Sequence, residues 1–484
     1  MDYALLMAGF AKTGAQPGWS GQRLLHECLR QAIREGTLAG GTRLLASRAL
    51  ARELGVARNS VLYAYEQLAT EGFVSSDRRG TKVSFKAASA LLPEPSQTLR
   101  TGLSNRAQSL ASLPVAPELS AAFAPGVPAL AEFPLTLWRR LLERSWRGLS
   151  AAQLNYGEAA GDPSLRSAIA DHLRAARGVV CDASQVFITD GTQSSLDLCA
   201  RAFADTGDRV WMENPGYGGA VAAWRAAQLS VAGIPVDGGG IAPTATDWRR
   251  QPPKLIYLTP SHQYPTGAVL GLERRLALIR QATAAGALII EDDYDSEFRH
   301  DGPPLAALQG LTPDAPVVYL GTFSKTLFPA LRIGFVVAPA ALAPALAALL
   351  SRSLPRGRAA DQLALAEFLR SGHFSLHLRR MRRLYRQRRD ALVEALESRL
   401  ADVASVHGAS AGMHLALRFH DELRLDDARI SAAALQQGIV APALSQHSVG
   451  GRAHGWRGLM LGYAQVPVEQ MTALVARLDV MIRA

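Results

Sequence analysis

Residues 321–335 read GTFSKTLFPALRIGF and hold one of only five lysines in the chain. The others are Lys12, Lys82, Lys86 and Lys254, among 52 basic residues in all, so arginine carries nearly every other positive charge. Lys325 follows the apolar run VVYL through a turn containing Gly321, Thr322 and Ser324, and Arg332 comes shortly after it. A guanidinium, with a pKa above about 12, cannot give up its proton to attack a carbonyl, whereas a lysine amine can. An isolated loop lysine is ordinarily a solvated surface residue. The stretches on either side decide against that reading here.

Upstream, ALIIEDDYDSEF places Asp292 at the end of an apolar run, where an ionised carboxylate is costly without a cationic partner, and Tyr294 follows two residues on. TDGTQSSLDL is a strand-to-helix turn whose Thr192 and Gln193 amides, at a helix N-terminus, suit a phosphate. Thr322, Ser324 and Arg332 can complete that cradle, the arginine offering a bidentate fork. ENPGYGGA puts Tyr217 after another apolar run, where it can stack on a flat ring. An imine-forming lysine, a carboxylate for a ring nitrogen, a hydroxyl for a ring oxygen, an aromatic face and a phosphate cradle together are the requirements of pyridoxal 5′-phosphate.

These motifs sit on a long alternation. QVFITDG, RVWMENP, KLIYLTP, ALIIEDDYD, VVYLGTFS and RIGFVVAP are short apolar runs separated by helix-period segments, a pattern that predicts a mainly parallel sheet buried on both faces. Loops at the strand C-termini then carry the site.

The first 86 residues differ, with a net charge of +5. A helix over roughly Gly21–Glu35, a second after Ser47, and a third between the Gly55-Val56-Ala57 turn and Gly72 precede FVSS and TKVS, which flank DRRG as a basic hairpin. That order predicts a winged helix-turn-helix. Arg58, Asn59 and Ser60 open the third helix, Arg48 precedes it, and Arg78 and Arg79 form the wing tip. These six are the candidate DNA-binding residues. Between the two parts, residues 87–117 are rich in Ala, Ser, Pro and Leu without a sustained period and read as a linker. The expected domains are 19–86 (head), 87–117 (linker) and 118–484 (effector).

Composition sets outer bounds. The 484 residues are 48% hydrophobic, with no uncharged apolar run of membrane length and no secretion-signal order at the N-terminus, so a cytoplasmic protein is expected. Cys28, Cys181 and Cys199 lack metal-ligand spacing, and neither a metal site nor a disulfide framework is expected. The net charge of +10 suits a polyanion partner, although an arginine-rich chain reaches it without one.

The "GTRL…SR", "ELGV.RN.V..AYEQL" and "EGF…GT.V" segments resemble the GntR family of bacterial regulators, with Leu45 and Ala46 where the family usually has Pro and Ser. TPSHQYPTG, EDDYDSEFR and SKTLFPALRIGF resemble the fold-type I aminotransferases, and the chain as a whole resembles the MocR subfamily, which joins the two parts. The resemblance implies an α/β fold: an N-terminal winged helix-turn-helix plus an aminotransferase-like domain with a mainly parallel sheet and a C-terminal α+β subdomain. It implies Lys325 as the Schiff-base lysine, Asp292 at the ring nitrogen, Tyr294 at the ring oxygen, Tyr217 stacked on the ring, and Thr192, Gln193, Thr322, Ser324 and Arg332 on the phosphate side. Tyr156, in LNYGEAAGDPSLR, matches the tyrosine that reaches the cofactor phosphate of the neighbouring subunit, implying a homodimer, and the family implies a head-to-tail, domain-swapped one.

Two departures stand out. Met460, in GLMLGYA, replaces the arginine that clamps a substrate α-carboxylate, and Arg457 falls on the other face of the same strand. Tyr264, in SHQYPTG, replaces an asparagine beside the ring oxygen. The expected function is therefore a double-stranded-DNA-binding regulator that senses pyridoxal 5′-phosphate, an amine, or both, with at most residual transaminase activity. The alternatives are a competent aminotransferase with an accessory head, or a large domain that only dimerises. Ser371–Asp390 carries arginines on nearly every face of an expected helix, equally a solvated helix or a second DNA-facing patch. His262, His373 and His377 have no partner visible in the sequence.

Overall fold

The computed structural model describes residues 1–14, 16, 18–84, 102–111, 121–302, 305–353, 357–449 and 455–484. It divides into two compact units, Met1–Gly102 and Leu103–Ala484.

The first unit contains α1 (Tyr3–Thr13), α2 (Gly21–Arg34), α3 (Ser47–Leu54), α4 (Arg58–Thr70) and the antiparallel hairpin β1 (Val74–Asp77) and β2 (Gly80–Val83). Ser20 caps α2, accepting from the Arg23 amide, and Leu25, Leu29 and Ile33 recur at helical spacing to bury one face. α3 stops at Gly55, whose φ of 64° lies in the left-handed region that glycine tolerates. From α4, Val61, Ala64, Tyr65 and Leu68 complete the core, and the Tyr65 hydroxyl donates to the Leu45 carbonyl at 2.8 Å. Leu45 thus remains anchored although the family's Pro-Ser turn is absent. The sequence reading did not anticipate α1, which packs through Tyr3 and is capped by Asp2.

Residues 87–101 and 112–117 of the expected linker lie outside the described residues. Within it, α5 (Asn105–Ala111) is helical, which the absence of a sustained period had not led us to expect. Seven residues are too few to display one.

The second unit continues with α6 (Leu135–Gly148), α7 (Pro163–Arg177), β3 (Val186–Thr189), α8 (Thr192–Phe203), β4 (Arg209–Asn214), α9 (Gly218–Ala226), β5 (Ser230–Asp237), β6 (Gly240–Ile241), α10 (Ala245–Arg250), β7 (Leu255–Leu258), α11 (Leu272–Ala285), β8 (Leu288–Asp293), β9 (Val317–Thr322) and β10 (Gly334–Val337). Its eight strands run in the order β3-β10-β9-β8-β7-β4-β5-β6. The block β9-β8-β7-β4-β5 is parallel; β10 is antiparallel to both its neighbours, and β6 to β5. All six apolar runs read from the sequence are strands, buried on both faces as their lack of alternation required. Because the strand order jumps between β7 and β4, with β7, β8 and β9 running to one side and β4 and β5 to the other, the C-terminal ends of β4, β7, β8 and β9 open onto one crevice.

Then follow α12 (Ala343–Ser353), α13 (Ala359–Arg370), the long α14 (His373–Leu400), β11 (Ala404–His407), β12 (His414–Phe419), α15 (Asp427–Gln436), β13 (Gly458–Gly462) and α16 (Val468–Arg483). β11-β12-β13 form an antiparallel sheet packed against α14 through β11 and α15 through β13, the expected C-terminal α+β subdomain. α14 buries Phe374, His377, Leu378, Met381 and Tyr385 on one side. Several of its arginines serve the fold: Arg386 donates to the His300 carbonyl at 2.6 Å, Arg389 pairs with Asp301 at 2.8 Å, and Arg380 pairs with Glu132. The three cysteines are free and buried.

Candidate functional site

The crevice contains a cavity of about 190 Å³. Thr192, Gln193, Tyr217, Asp292, Tyr294, Thr322, Ser324, Lys325 and Arg332 all line it. Nine of the ten positions expected at the cofactor thus converge, although they span 140 residues of chain. Tyr156 is elsewhere, 79% exposed, where it reaches nothing in this cavity.

Lys325 leaves β9 through the turn that begins at Thr322. Its Nζ donates to the Gly126 carbonyl at 2.8 Å, and a Cβ on Gly126, whose φ is 71°, would itself lie 2.8 Å from Nζ. Burial pushes the amine below its ordinary pKa, with Asp295 and Asp292 opposing that shift. The lysine is therefore nearer its neutral, nucleophilic form than a surface lysine.

Asp292, next to last in β8, accepts from the Tyr257 hydroxyl at 2.7 Å through Oδ2, while its Oδ1 is buried without a partner. Desolvation pushes this carboxyl up to about 7, with the Tyr257 hydrogen bond and Lys325 acting the other way and Asp293 reinforcing it. An orphaned buried acceptor of this kind is satisfied by a cationic N–H donor, the function required opposite a protonated pyridine nitrogen. Tyr294 donates to the His262 carbonyl at 2.9 Å and lies 3.2 Å from His262 Nδ1. Tyr217 packs edge-on against Tyr264, with ring centroids 5.3 Å apart.

The opposite end is built for an anion. α8 begins at Thr192 after Gly191, whose φ of 93° turns the chain so that the first helical amides, which lack intrahelical acceptors, open the helix beside Arg332. A Cβ on Gly191 would sit 3.6 Å from the Arg332 guanidinium. Arg332 itself has a φ of 51°, an uncommon conformation for a side-chain-bearing residue. Arg358 holds it there, donating to the Leu331 carbonyl at 3.0 Å and the Arg332 carbonyl at 2.6 Å. With the Thr322 and Ser324 hydroxyls, these donors fit a phosphate dianion, and the cavity as a whole fits the group expected from the sequence.

Several contributors escaped the sequence reading. Tyr257 reads in the sequence as an ordinary strand residue, and Gly126 lies in a loop far from any motif. Thr259, also on the wall, donates to the buried Glu213 at 2.7 Å, a carboxyl that burial raises to about 7. His262 stands behind Tyr294 rather than on the cavity wall, its Nδ1 3.0 Å from Asp295 Oδ2. His377 is a core residue whose Nε2 lies 3.0 Å from the Thr326 carbonyl.

Met460, on β13, is fully buried and packs with Ala416, Leu444 and Trp456 against Tyr264. Arg457 is exposed and lies just before β13, not on the strand as expected. The two departures from an aminotransferase pattern are thus one continuous apolar surface beside the cavity.

In the first unit, Arg48, Arg58, Asn59, Arg78 and Arg79 are exposed and Ser60 is half-buried. Arg58 and Ser47, on the two helices of the turn motif, are joined at 3.3 Å through the guanidinium Nε. Arg78 and Arg79 occupy the two-residue turn between β1 and β2, with the Arg79 amide donating to Asp77 at 2.7 Å.

The chain matches the family model for bacterial regulatory proteins of the gntR family over residues 23–83 and that for aminotransferase class I and II over residues 129–478. It is 39% identical to the probable rhizopine catabolism regulatory protein MocR of Rhizobium meliloti, over 93% of this chain and 91% of that one. It is 35% identical to the HTH-type pyridoxine biosynthesis transcriptional regulator PdxR of Corynebacterium glutamicum, over 77% and 78% of the two chains. Among solved structures, the α-aminoadipate aminotransferase LysN of Thermus thermophilus, complexed with N-(5′-phosphopyridoxyl)-L-leucine, superposes with a TM-score of 0.68 at 28% identity, over 78% of this chain and 95% of that one. A regulator's head and an aminotransferase-like body in one polypeptide, at this identity over nearly the full length, place the chain in the MocR-type family of GntR transcriptional regulators.

Proposed function

We propose that this regulator binds pyridoxal 5′-phosphate through Lys325 and uses its occupancy, or that of an amine joined to it, to alter operator binding by the winged helix-turn-helix head. The observation that carries this reading is the contrast within one crevice. Residues suited to the ring, phosphate and lysine roles line the cavity, whereas the residue matched to the α-carboxylate clamp is a methionine buried in the apolar cluster against Tyr264, itself a wall residue. When bound, the cofactor would supply an electrophilic carbon for a primary amine. Asp292 would hold the ring nitrogen, Tyr294 the ring oxygen, Tyr217 the ring face, and Thr192, Gln193, Thr322, Ser324 and Arg332 the phosphate.

A thioether cannot offer the paired donors of a guanidinium, so the favoured effectors are the cofactor itself or an amine without an α-carboxylate, such as a sulfonate. The name of one relative, a regulator of pyridoxine biosynthesis, is in keeping with the first choice. Transaminase activity on ordinary amino acids would be residual at most. Arg58, Asn59 and Ser60 would read base edges, with Arg48, Arg78 and Arg79 on phosphates.

A homodimer is part of the reading. Tyr156, together with Trp146 at 63% and Leu154 at 68% exposure, offers an apolar surface that a second copy would cover while presenting Tyr156 to its neighbour's phosphate cradle. No helix among the described residues is long and apolar enough to cross a membrane, and a DNA-binding role would place the protein in the cytoplasm.

The test is binding to the DNA beside the protein's own gene, with and without pyridoxal 5′-phosphate, for wild type and Lys325→Ala. Wild-type affinity or footprint should change with the cofactor and that of the variant should not. Identical binding by both proteins under both conditions would sink the sensor reading. Steady turnover with a keto-acid acceptor would favour the aminotransferase instead.

A further inference from the structure

A second, larger cavity of about 500 Å³ lies between α7, the turn after β8 and the first turns of α14. Its walls carry Arg177, Arg299, Arg379 and Arg382, and Glu297 is the single carboxylate among the described lining residues. Polar atoms on these walls lack partners: Arg299 Nε and Nη1, His172 Nε2 and Ser296 Oγ are all buried without a hydrogen bond. Arg379 and Arg382 stand exposed at the rim. A guanidinium with two buried, unanswered N–H groups costs stability unless an acceptor arrives from outside the chain.

We propose that this cavity is a ligand site distinct from the cofactor crevice, for a small oxyanion carrying two or more negative charges, such as a phosphate ester or a polycarboxylate. Arg299, Ser296 and His172 supply donors from the interior, and Arg379 and Arg382 supply attraction at the entrance. Ligands of both classes present several acceptor oxygens to forked donors, which is the shared chemistry the walls demand.

The site is also joined to the crevice. Arg177 lines the cavity, and its guanidinium donates to Asp293 at 2.8 Å, Ser261 at 2.9 Å and the Leu305 carbonyl at 2.6 Å. Asp293 follows Asp292 in β8, and Ser261 begins the segment that carries His262 and Tyr264. A ligand drawing on Arg177 therefore pulls on both the carboxylate and the aromatic wall of the cofactor site, which makes the cavity suited to a second effector.

The experiment is calorimetric titration of the full-length protein at fixed ionic strength with inorganic pyrophosphate and, separately, with citrate. At least one probe should bind saturably at one site per chain. Arg299→Gln should weaken that binding tenfold or more and Arg379→Gln severalfold, while Arg250→Gln, an exposed control on α10, leaves it unchanged. Arg332→Gln, which cripples the other anion cradle, should leave it in place. Thermal melts establish that the variants fold, and if Arg299→Gln does not, the rim variant Arg379→Gln decides. Absence of saturation by either probe, equal weakening by Arg250→Gln, or loss in Arg332→Gln would overturn the proposal. So would saturation of the same arginines by duplex DNA alone, which would assign the surface to backbone phosphates.

Discussion

Replacing Asp292 by Asn should move stability and cofactor affinity in opposite directions. In the folded protein without cofactor, this carboxyl is raised from about 3.8 to about 7, chiefly by desolvation. A raised acid binds its proton more tightly in the folded state, so its contribution is most favourable below pH 3.8 and is lost as pH climbs through 7. A gap of about three pH units at about 1.36 kcal/mol each amounts to about 4 kcal/mol of penalty by pH 8. Asn escapes that penalty and can still accept from Tyr257, but its amide gains a buried donor without a partner, which costs about 1–3 kcal/mol. The variant's stability relative to wild type should therefore rise by about 3 kcal/mol between pH 4.5 and pH 8. Loss of a charge-assisted bond to the ring nitrogen should at the same time weaken cofactor binding by about tenfold to a hundredfold. Urea midpoints of the cofactor-free proteins across that pH range, with cofactor titrations at pH 8, measure both. A flat stability difference, or undiminished affinity in the variant, would refute the assignment of Asp292 as a buried carboxylate awaiting a cation.

Lys325→Ala should abolish the visible absorption band that wild type gains with pyridoxal 5′-phosphate while leaving operator affinity without cofactor within about twofold, as absorbance and gel-shift titrations would register. Arg78→Ala with Arg79→Ala should weaken DNA binding about equally across sequences and reduce the salt slope by about 1 for each phosphate left unneutralised, whereas Asn59→Ala should relax the base preference by about 1–3 kcal/mol at one position. Binding measured at several salt concentrations on permuted operators separates these effects. Tyr156→Ala should lower cofactor affinity, with a larger loss of dimer in Leu154→Asp, both followed by sedimentation and titration. Unchanged sedimentation of Leu154→Asp would exclude this surface from the interface.

The parts of the site that were legible in the sequence are those whose chemistry is written locally. A lysine in an arginine-rich chain, a carboxylate closing an apolar run and a glycine-led helix start each carry their reason within a few residues. Tyr257 could not be found this way, because a tyrosine inside a strand is ordinary and only the register of β7 beside β8 brings its hydroxyl to Asp292. Gly126 was invisible for the same reason, since it matters only through a lysine 199 positions away. The run RIGFVVAP marked a buried strand without its direction, although the chain from Thr322 to Gly334 is too short for the crossover helix that a parallel neighbour requires. β5 is hidden in the sequence because Gly233 and Pro235 interrupt its pattern, and it survives toward the sheet's far side, where its neighbours are β4 and the two-residue β6. The arginines of α14 read as a charged surface. Many of them instead answer carbonyls whose positions are set only by the tertiary fold.

Met460 and Tyr264 bear on function together because both belong to one apolar packing unit, and a paired change is harder to reverse than a single one. Met460 is buried among Ala416, Leu444 and Trp456, with Tyr264 against the cluster, so a guanidinium at this position would meet apolar side chains. Met460→Arg alone would bury an unpaired charge among apolar groups, a cost of about 3 kcal/mol or more, and Tyr264 would still stand where the asparagine belongs. The single variant should therefore melt lower than wild type and gain no steady transamination. Met460→Arg with Tyr264→Asn, which opens room and adds a polar partner, should recover part of the stability and bind α-amino acids more tightly than wild type. Melting curves and spectral titrations with amino acids compare the three proteins. If Met460→Arg alone is as stable as wild type and turns over an α-amino acid, the loss of the clamp was incidental and the protein is an aminotransferase one residue from activity, not a sensor shaped around a different ligand.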